Sequence, residues 1–443
     1  MSGSEKHPDP IRENSSSSLE RVLAGHLRVY PKDRFEAGYY ALRSMGVSRK
    51  QALEVVCGFK GKKPLPFPPV THMELFLTRA CNLACPYCFV REKPSSPGMS
   101  LETAMEAVKF LVKESRGVRK VGITFMGGEP LLAFPLLKEF LPRARRRLEE
   151  AGKEVRFDMT TNGVLLDEET SRFLAEWDVH VLVSLDGGPE THDRYRVFPS
   201  GKGSFQRVRE GLEALRRHQP YLGAKMTVMP SEAGKLLQNV EILAEMGIKH
   251  FIVGPATGVP WEEKAEILYR GFRRVFEWWR SHPGARKLSF QFIREALKPR
   301  KRRPHGWGCR AGRHGLAVDP DGNLSPCSKI LGLREKGILW LGSVREGFQD
   351  LEVRARLCGF LPADRPACWN CAHQNRCMGG CYAVNFEATG DPFLPGRECR
   401  MTALSLELSR WIRGRIREGR GKAGRKEPGP PSQAEVEIVE EKP

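Results

Sequence analysis

The sequence predicts an α/β fold: a partial (β/α)6 barrel, preceded by a helical extension and followed by a small cysteine-rich domain. Three observations carry this. Between residues 71 and 260, six short apolar runs alternate with amphipathic stretches of helical period. A polar or glycine-rich motif follows each of the first four runs, where a parallel sheet places its functional loops. Ten of the twelve cysteines fall into two patterned groups, one after the first run and one beyond residue 305, and the second marks a domain held by metal.

Residues 1–18, "MSGSEKHPDPIRENSSSS", lack an apolar h-region and read as a disordered arm, not a secretory signal. Residues 19–70 read as a helical extension and linker. "SSLERVLAGHL" has a serine cap, and "DRFEAGYYALRSMGVSRKQALEVVCGF" gives two short helices about "MGVS". That pair has the layout of a helix-turn-helix; a packing extension is the plainer reading, with Cys57 a buried helix residue. "KGKKPLPFPPV" is a proline-rich connector.

The predicted strands of the 71–260 core are "HMELFLT", "VGITFM", "VRFDMTT", "HVLVSLD", "GAKMTVM" and "HFIVGP". "SLETAMEAVKFLVKES", with Ser100 and Thr103 at its start, and "SFQRVREGLEALRRH" are two of the helices between them. "TRACNLACPYC", "GGEP", "TNG" and "SLDG" end the first four strands, so four motifs converge on one rim. Residues 261–304 form a helical bridge whose aromatics, in "YRGFRRVFEWWRSH", face a core. Residues 305–405 turn to glycine, proline and cysteine, and 406–443 are a helix end and a disordered charged tail.

The 443 residues are 40% apolar, with mean hydropathy −0.42 and no apolar run of membrane-spanning length. The chain reads as cytoplasmic, without a membrane role. In that reducing compartment, clustered cysteines mean metal. The net charge is +19, from 72 basic and 53 acidic residues, partly in "LKPRKRRPH" at 297–305 and "RWIRGRIREGRGKAGRK" at 410–426. A solvated face or a disordered end accounts for such runs; an acidic peptide is the partner they suit, and no nucleic acid is expected.

Cys81, Cys85 and Cys88 stand in C-x3-C-x2-C, an odd count for a disulfide framework and one short of a structural zinc site. A [4Fe–4S] cluster held by three thiolates leaves one iron open to an amino and carboxylate group. A zinc knuckle with a distant fourth ligand is the alternative. At these residues, with Tyr87 before the last cysteine and "GGEP" at Gly127, Gly128, Glu129 and Pro130, the sequence resembles the radical S-adenosylmethionine (SAM) enzymes. The resemblance implies a SAM-binding [4Fe–4S] cluster on the three cysteines, with GGEP at the methionine amino group. Asn162 and Ser184 are candidates for the SAM ribose or carboxylate, and Arg194 and Arg196 for the carboxylate or for solvent. It also implies one-electron cleavage of SAM and a 5′-deoxyadenosyl radical that removes a hydrogen atom from the substrate, with an electron donor such as a flavodoxin or ferredoxin.

Downstream, Cys309 and Cys327 stand in C-x12-G-x4-C; Cys368, Cys371, Cys377, Cys381 and Cys399 in C-x2-C-x5-C-x3-C and C-x17-C. Seven cysteines in that order resemble the SPASM domain, an auxiliary-cluster module of radical SAM enzymes. The two resemblances cover about 72–405. They imply two auxiliary clusters of [4Fe–4S] type: one on Cys368, Cys371, Cys377 and Cys399, the other on Cys309, Cys327 and Cys381. Relatives with an eighth cysteine carry it just before the position of Cys309, where this chain reads "RKRRPHGWGC". Cys358, His305 or a substrate thiolate are candidates for the missing ligand; an unliganded thiol is the plainer reading of Cys358.

SPASM enzymes mostly modify peptides or proteins. The sulfatase-maturating branch carries an aspartate directly after the "PC" cysteine as candidate base, and here Ser328 stands there, a poor base at its ordinary pKa. The expectation is therefore modification of a ribosomally made peptide, with a thioether the product if the substrate is a peptide thiol. The alternative is oxidation of a protein Cys or Ser to formylglycine. The catalytic base is not assigned, and no leader-binding strand edge is apparent in residues 1–70.

Overall fold

The computed structural model describes residues 67–90, 98–298, 309, 311–333, 339–350, 353–354, 357–358, 368, 370–373, 377, 379–396 and 399–422. The expected helices of 19–60 with Cys57, the connector up to residue 66, the run 299–305 with His305, and the chain beyond 422 lie outside the described residues.

The core alternates strand and helix: β1 (His72–Thr78), α1 (Leu101–Ser115), β2 (Lys120–Gly127), α2 (Phe134–Glu150), β3 (Glu154–Thr161), α3 (Glu168–Glu176) and β4 (Val179–Ser184). It continues with α4 (Pro189–Asp193), α5 (Phe205–His218), β5 (Leu222–Val228), α6 (Leu236–Glu245) and β6 (Ile248–Pro255). Each of these strands pairs in parallel with the next in sequence, as right-handed βα crossovers require. α1 starts as its sequence dictates: the Ser100 hydroxyl accepts the Thr103 N–H at 3.1 Å.

Strand alternation sorts the residues. Met73, Leu75, Ile123, Phe125, Phe157, Met159, Val181 and Val183 are buried under the helices, and Phe125 meets Phe140 of α2 edge-on at 5.9 Å. The opposite face carries Glu74, Thr124, Asp158, Thr160, Lys225 and Thr227, all half-buried. A sheet covered by helices on one side keeps chemistry on the other.

Beyond β6 come α7 (Lys264–Ser281), β7 (Ser289–Phe290) and α8 (Gln291–Leu297). The cysteine-rich segment adds β8 (Gly315–Val318), β9 (Asn323–Ser325), α9 (Ser328–Leu331), β10 (Gly342–Ser343), β11 (Gly347–Phe348), α10 (Tyr382–Thr389) and α11 (Cys399–Lys422). Among the described residues it builds no separate sheet. β8 pairs in parallel with β1, from His72↔Gly315 to Leu75↔Val318, so one open sheet runs β11-β10-β9-β8-β1-β2-β3-β4-β5-β6-β7.

α11 closes over α7 and α8. Its Leu404, Leu408 and Ile412 are buried, Trp411 meets Phe276 at 5.4 Å, and the Arg415 guanidinium pairs with Glu277 at 2.8 Å. The helix end expected from residue 406 thus extends through Lys422 and takes in most of the basic run. Among the described residues, no helix is long and apolar enough to cross a membrane.

Candidate active site

The loop after β1 carries Cys81, Cys85 and Cys88, all half-buried. It is tied down along its length. The Thr78 hydroxyl accepts the Ala80 N–H at 3.1 Å, the Ala84 N–H reaches the Val197 carbonyl at 2.8 Å, and the Cys88 N–H the Cys85 carbonyl at 3.1 Å. The Cys81 sulfur accepts from the Leu83 N–H at 3.4 Å and lies 3.8 Å from the Asn162 amide nitrogen. N–H groups aimed at sulfur stabilise a thiolate, the form that binds iron.

Gly127 and Gly128 lie against this loop. Gly127 has φ +143°, and a Cβ there would stand 2.2 Å from the Thr78 carbonyl oxygen; one on Gly128 would stand 2.1 Å from that of Ala80. Only glycine permits such an approach. The Gly128 N–H donates to the Thr78 carbonyl at 2.8 Å and the Glu129 N–H to that of Ala80 at 2.9 Å. Pro130 begins a short 3-10 turn, Pro130–Ala133, that leads into α2.

Glu129 is fully buried, and its carboxylate accepts from three donors: the Leu131 N–H at 3.0 Å, the Thr161 hydroxyl at 2.7 Å and the Asn162 N–H at 2.7 Å. It joins the ends of β2 and β3. Burial pushes its carboxyl up to about 7, against those donors, which favour the ionised form. Between its ordinary value of 4.5 and about 7, the folded chain keeps a proton that the unfolded chain has released. Stability therefore falls as pH rises through that window, by up to about 3 kcal/mol, and is flat above it. Urea midpoints of wild type against Glu129→Gln, from about pH 5 to 8, check this: wild type should lose ground to the variant up to about 7, and a constant difference would refute it.

Asn162, at the end of β3, is nearly buried. Its amide donates to the Asn82 side chain at 2.7 Å, and its oxygen accepts the Val164 N–H at 2.9 Å. Ser184 ends β4, buried, on the barrel's inner face in register with Lys225. Two residues later comes Asp186, the hub of this rim. Its carboxylate accepts the Tyr87 hydroxyl, the Nε and Nη2 edge of the Arg196 guanidinium at 2.9 and 3.1 Å, and the Thr227 N–H at 2.8 Å. Tyr87 is thereby held beside the cysteine loop, with the Arg196 guanidinium 5.5 Å from its ring centre. Burial raises the Tyr87 phenol well above its ordinary value, and the Asp186 charge adds to this. Arg196 is buried and committed to Asp186, not solvated. Arg194 is half-exposed and pairs with Glu190 and Glu232.

Across the inner face stand cysteines of the second group. Cys309, Cys327 and Cys381 lie close enough for charge on each to bear on the others; burial, then that mutual repulsion, raises the Cys327 thiol. The Cys309 thiol is raised likewise by burial and by Cys381. Three crowded thiols of this kind give up their protons when a metal centre binds. The Cys371 N–H meets the Cys368 carbonyl at 3.1 Å and the Gly379 N–H the Cys377 sulfur at 3.3 Å, while Cys399 opens α11. Among the described residues no three ligating side chains close up as around a single ion. Cys358 is buried, 3% exposed.

A carboxylate joins the two halves. Glu74, in mid-β1, accepts the N–H of Ser328, directly after Cys327, at 2.9 Å. The Lys329 ammonium donates to the Thr257 hydroxyl at 3.3 Å. Tyr87, Phe89, Thr257, Lys329, Val384 and Glu387 line one cleft between the cysteine loop and the cysteine-rich segment.

Residues 75–235 match the Radical SAM superfamily. The chain carries a radical SAM domain. A serine-type anaerobic sulfatase-maturating enzyme of Klebsiella aerogenes is 23% identical over 72% of this chain and 80% of its own. The AdoMet-dependent heme synthase of Methanosarcina barkeri is 26% identical over 71% and 92%. Two solved structures share the fold: anSMEcpe with bound AdoMet and the Cp18Cys peptide (TM-score 0.63, 20% identity, 78% of this chain and 99% of that one), and Streptococcus suis SuiB bound to its precursor peptide SuiA (0.56, 19%, 80% and 80%). The radical SAM domain thus makes this chain an enzyme, with a [4Fe–4S] cluster and SAM as its implied cofactors.

Sequence reasoning passed over Asp186, Glu74 and Lys225. Each had a signal: an acid just past a strand end, and single charges inside "HMELFLT" and "GAKMTVM", where a strand buried on both faces has no use for one.

Proposed function

We propose that this radical SAM/SPASM enzyme modifies a ribosomally made peptide. One observation carries the reading: the auxiliary cysteine turn at Cys327–Ser328 is bonded to Glu74 on the inner face of the barrel, the face that also holds the SAM-site rim. A substrate between the two can be activated on one side and ligated or oxidised on the other.

The site residues fit the cofactors. The sulfur-directed N–H groups on Cys81 and the glycine seat of its loop suit a three-cysteine [4Fe–4S] site, with Tyr87, the GGEP turn, Asn162 and Ser184 around SAM. Bound there, cluster and SAM supply one-electron sulfonium cleavage and abstraction of a substrate hydrogen atom. The chain does the rest. GGEP holds the loop, Asp186 orients Tyr87, and the helix-covered sheet keeps solvent from one side of the site. Cys309, Cys327 and Cys381 would hold one auxiliary cluster; Cys368, Cys371, Cys377 and Cys399 the other.

Ser328 in place of the sulfatase branch's aspartate favours peptide cross-linking, with a thioether as product when a peptide thiolate takes the open ligand position. Glu74 favours a second reading, formylglycine formation, because it brings a carboxylate to that same turn from β1. The printed names of the relatives support a protein or peptide substrate in either case. A flavodoxin or ferredoxin donor and a cytoplasmic location complete the proposal.

Anaerobic reconstitution, dithionite and SAM should yield 5′-deoxyadenosine, with about twelve irons per chain. Cys85→Ala should abolish cleavage and remove about four of them. No 5′-deoxyadenosine from wild type would overturn the reading. Offering a short cysteine-containing peptide against a sulfatase-derived one separates the two readings: a cross-link loses two hydrogens and leaves no aldehyde, whereas formylglycine is captured by a hydrazine reagent, which is needed for Ser because its oxidation also loses two hydrogens.

A further inference from the structure

The inner face holds a cation that the site described above does not use. Lys225 projects from β5 in register with Ser184 on β4 and Ile252 on β6, so its amine enters the space between the SAM rim and the auxiliary cysteines. Among the described residues it makes no hydrogen bond or ion pair. Three other charges bear on it: Lys329, Glu74 and Arg196. Arg196 is closed by its two bonds to Asp186. Glu74 already accepts the Ser328 N–H, while Lys329 is bonded to Thr257, bears on Cys309 and shares its cleft with Glu387. Lys329 also lines the cleft that opens beside Tyr87 and Phe89. A half-buried ammonium with no acceptor is destabilising unless an anion joins it.

We propose that Lys225, with Lys329 opposite, is the receptor for a carboxylate of the substrate: an Asp or Glu side chain, or a peptide's C-terminus. This rests on the peptide-modifying reading above. The subsite would set which residue of a peptide lies beside the SAM rim, because a charge-assisted bond from β5 anchors the chain one strand away from Ser184.

The test uses reconstituted holoenzyme with SAM bound and no reductant, so that nothing turns over. Fluorescence anisotropy is measured with matched decapeptides that differ only as Asp against Asn, Glu against Gln, or free against amidated C-terminus. Wild type should prefer one carboxylate member by about tenfold. Lys225→Met should erase the preference, and Lys225→Arg, which keeps the charge, should retain most of it; iron content of each variant shows that the barrel is intact. Which pair shows the preference identifies side chain or terminus. Peptides that bind equally well with and without the carboxylate, or a preference that survives Lys225→Met, overturn the subsite while leaving a peptide substrate standing. If no decapeptide binds at all, the peptide reading falls, and the subsite with it.

Discussion

Gly128→Ala should cost the enzyme its SAM-site cluster while leaving in place the iron proposed for the cysteine-rich segment. The added Cβ would stand 2.1 Å from the Ala80 carbonyl oxygen and 2.5 Å from that of Arg79. Both are backbone atoms, so no side chain can swing aside. Nor can the turn back away, because the Gly128 and Glu129 N–H groups are bonded to the Thr78 and Ala80 carbonyls. Overpacking of this kind costs about 1–3 kcal/mol, and each bond given up adds about 1 kcal/mol. The strain falls on the residue directly before Cys81. Iron should drop by about four per chain, with 5′-deoxyadenosine formation lost. Gly117→Ala is the control, since a Cβ there meets nothing within 4 Å. Full iron and normal cleavage in Gly128→Ala would show that GGEP does not seat the loop.

Asp186→Asn should be among the most destabilising single changes in the barrel. The shape is kept, but the buried Arg196 guanidinium loses its counter-charge, and Tyr87 and the Thr227 N–H lose an anionic acceptor. Removing one partner of a buried pair costs about 3–5 kcal/mol, much of it from the charge left behind. Arg196→Met should cost a similar amount, and the double variant much less than the sum, because no orphaned charge remains. Chemical denaturation of the four proteins gives the coupling directly. Additive losses would mean that the two bonds seen at 2.9 and 3.1 Å carry no shared energy.

Much of this was legible in the chain. β1 is the predicted "HMELFLT" residue for residue, α1 begins after Ser100, and the motifs that end the first four strands do meet on one rim. Local signals sufficed there: period-two alternation, a capping serine, and loops that a parallel sheet must gather at one end. Glu129 shows where such signals stop. Its place in GGEP marks it as functional, yet its burial and its bonds to Thr161 and Asn162 come from residues more than thirty positions away. Arg196 shows the same. In "HDRYR" nothing separates it from Arg194; the fold buries one on Asp186 and leaves the other half-exposed.

Spacing alone was enough for the radical SAM resemblance, the barrel and the cysteine groups, because cluster ligation and strand alternation are written in it, and spacing is local. It took the packed fold to show that the cysteine-rich segment extends the barrel sheet through β8, that Glu74 meets the turn after Cys327, and that Lys225 and Lys329 share a space. Those contacts join residues up to 254 positions apart. A charge inside an apolar strand announces that it has a partner, but only the packing of one wall against another says which.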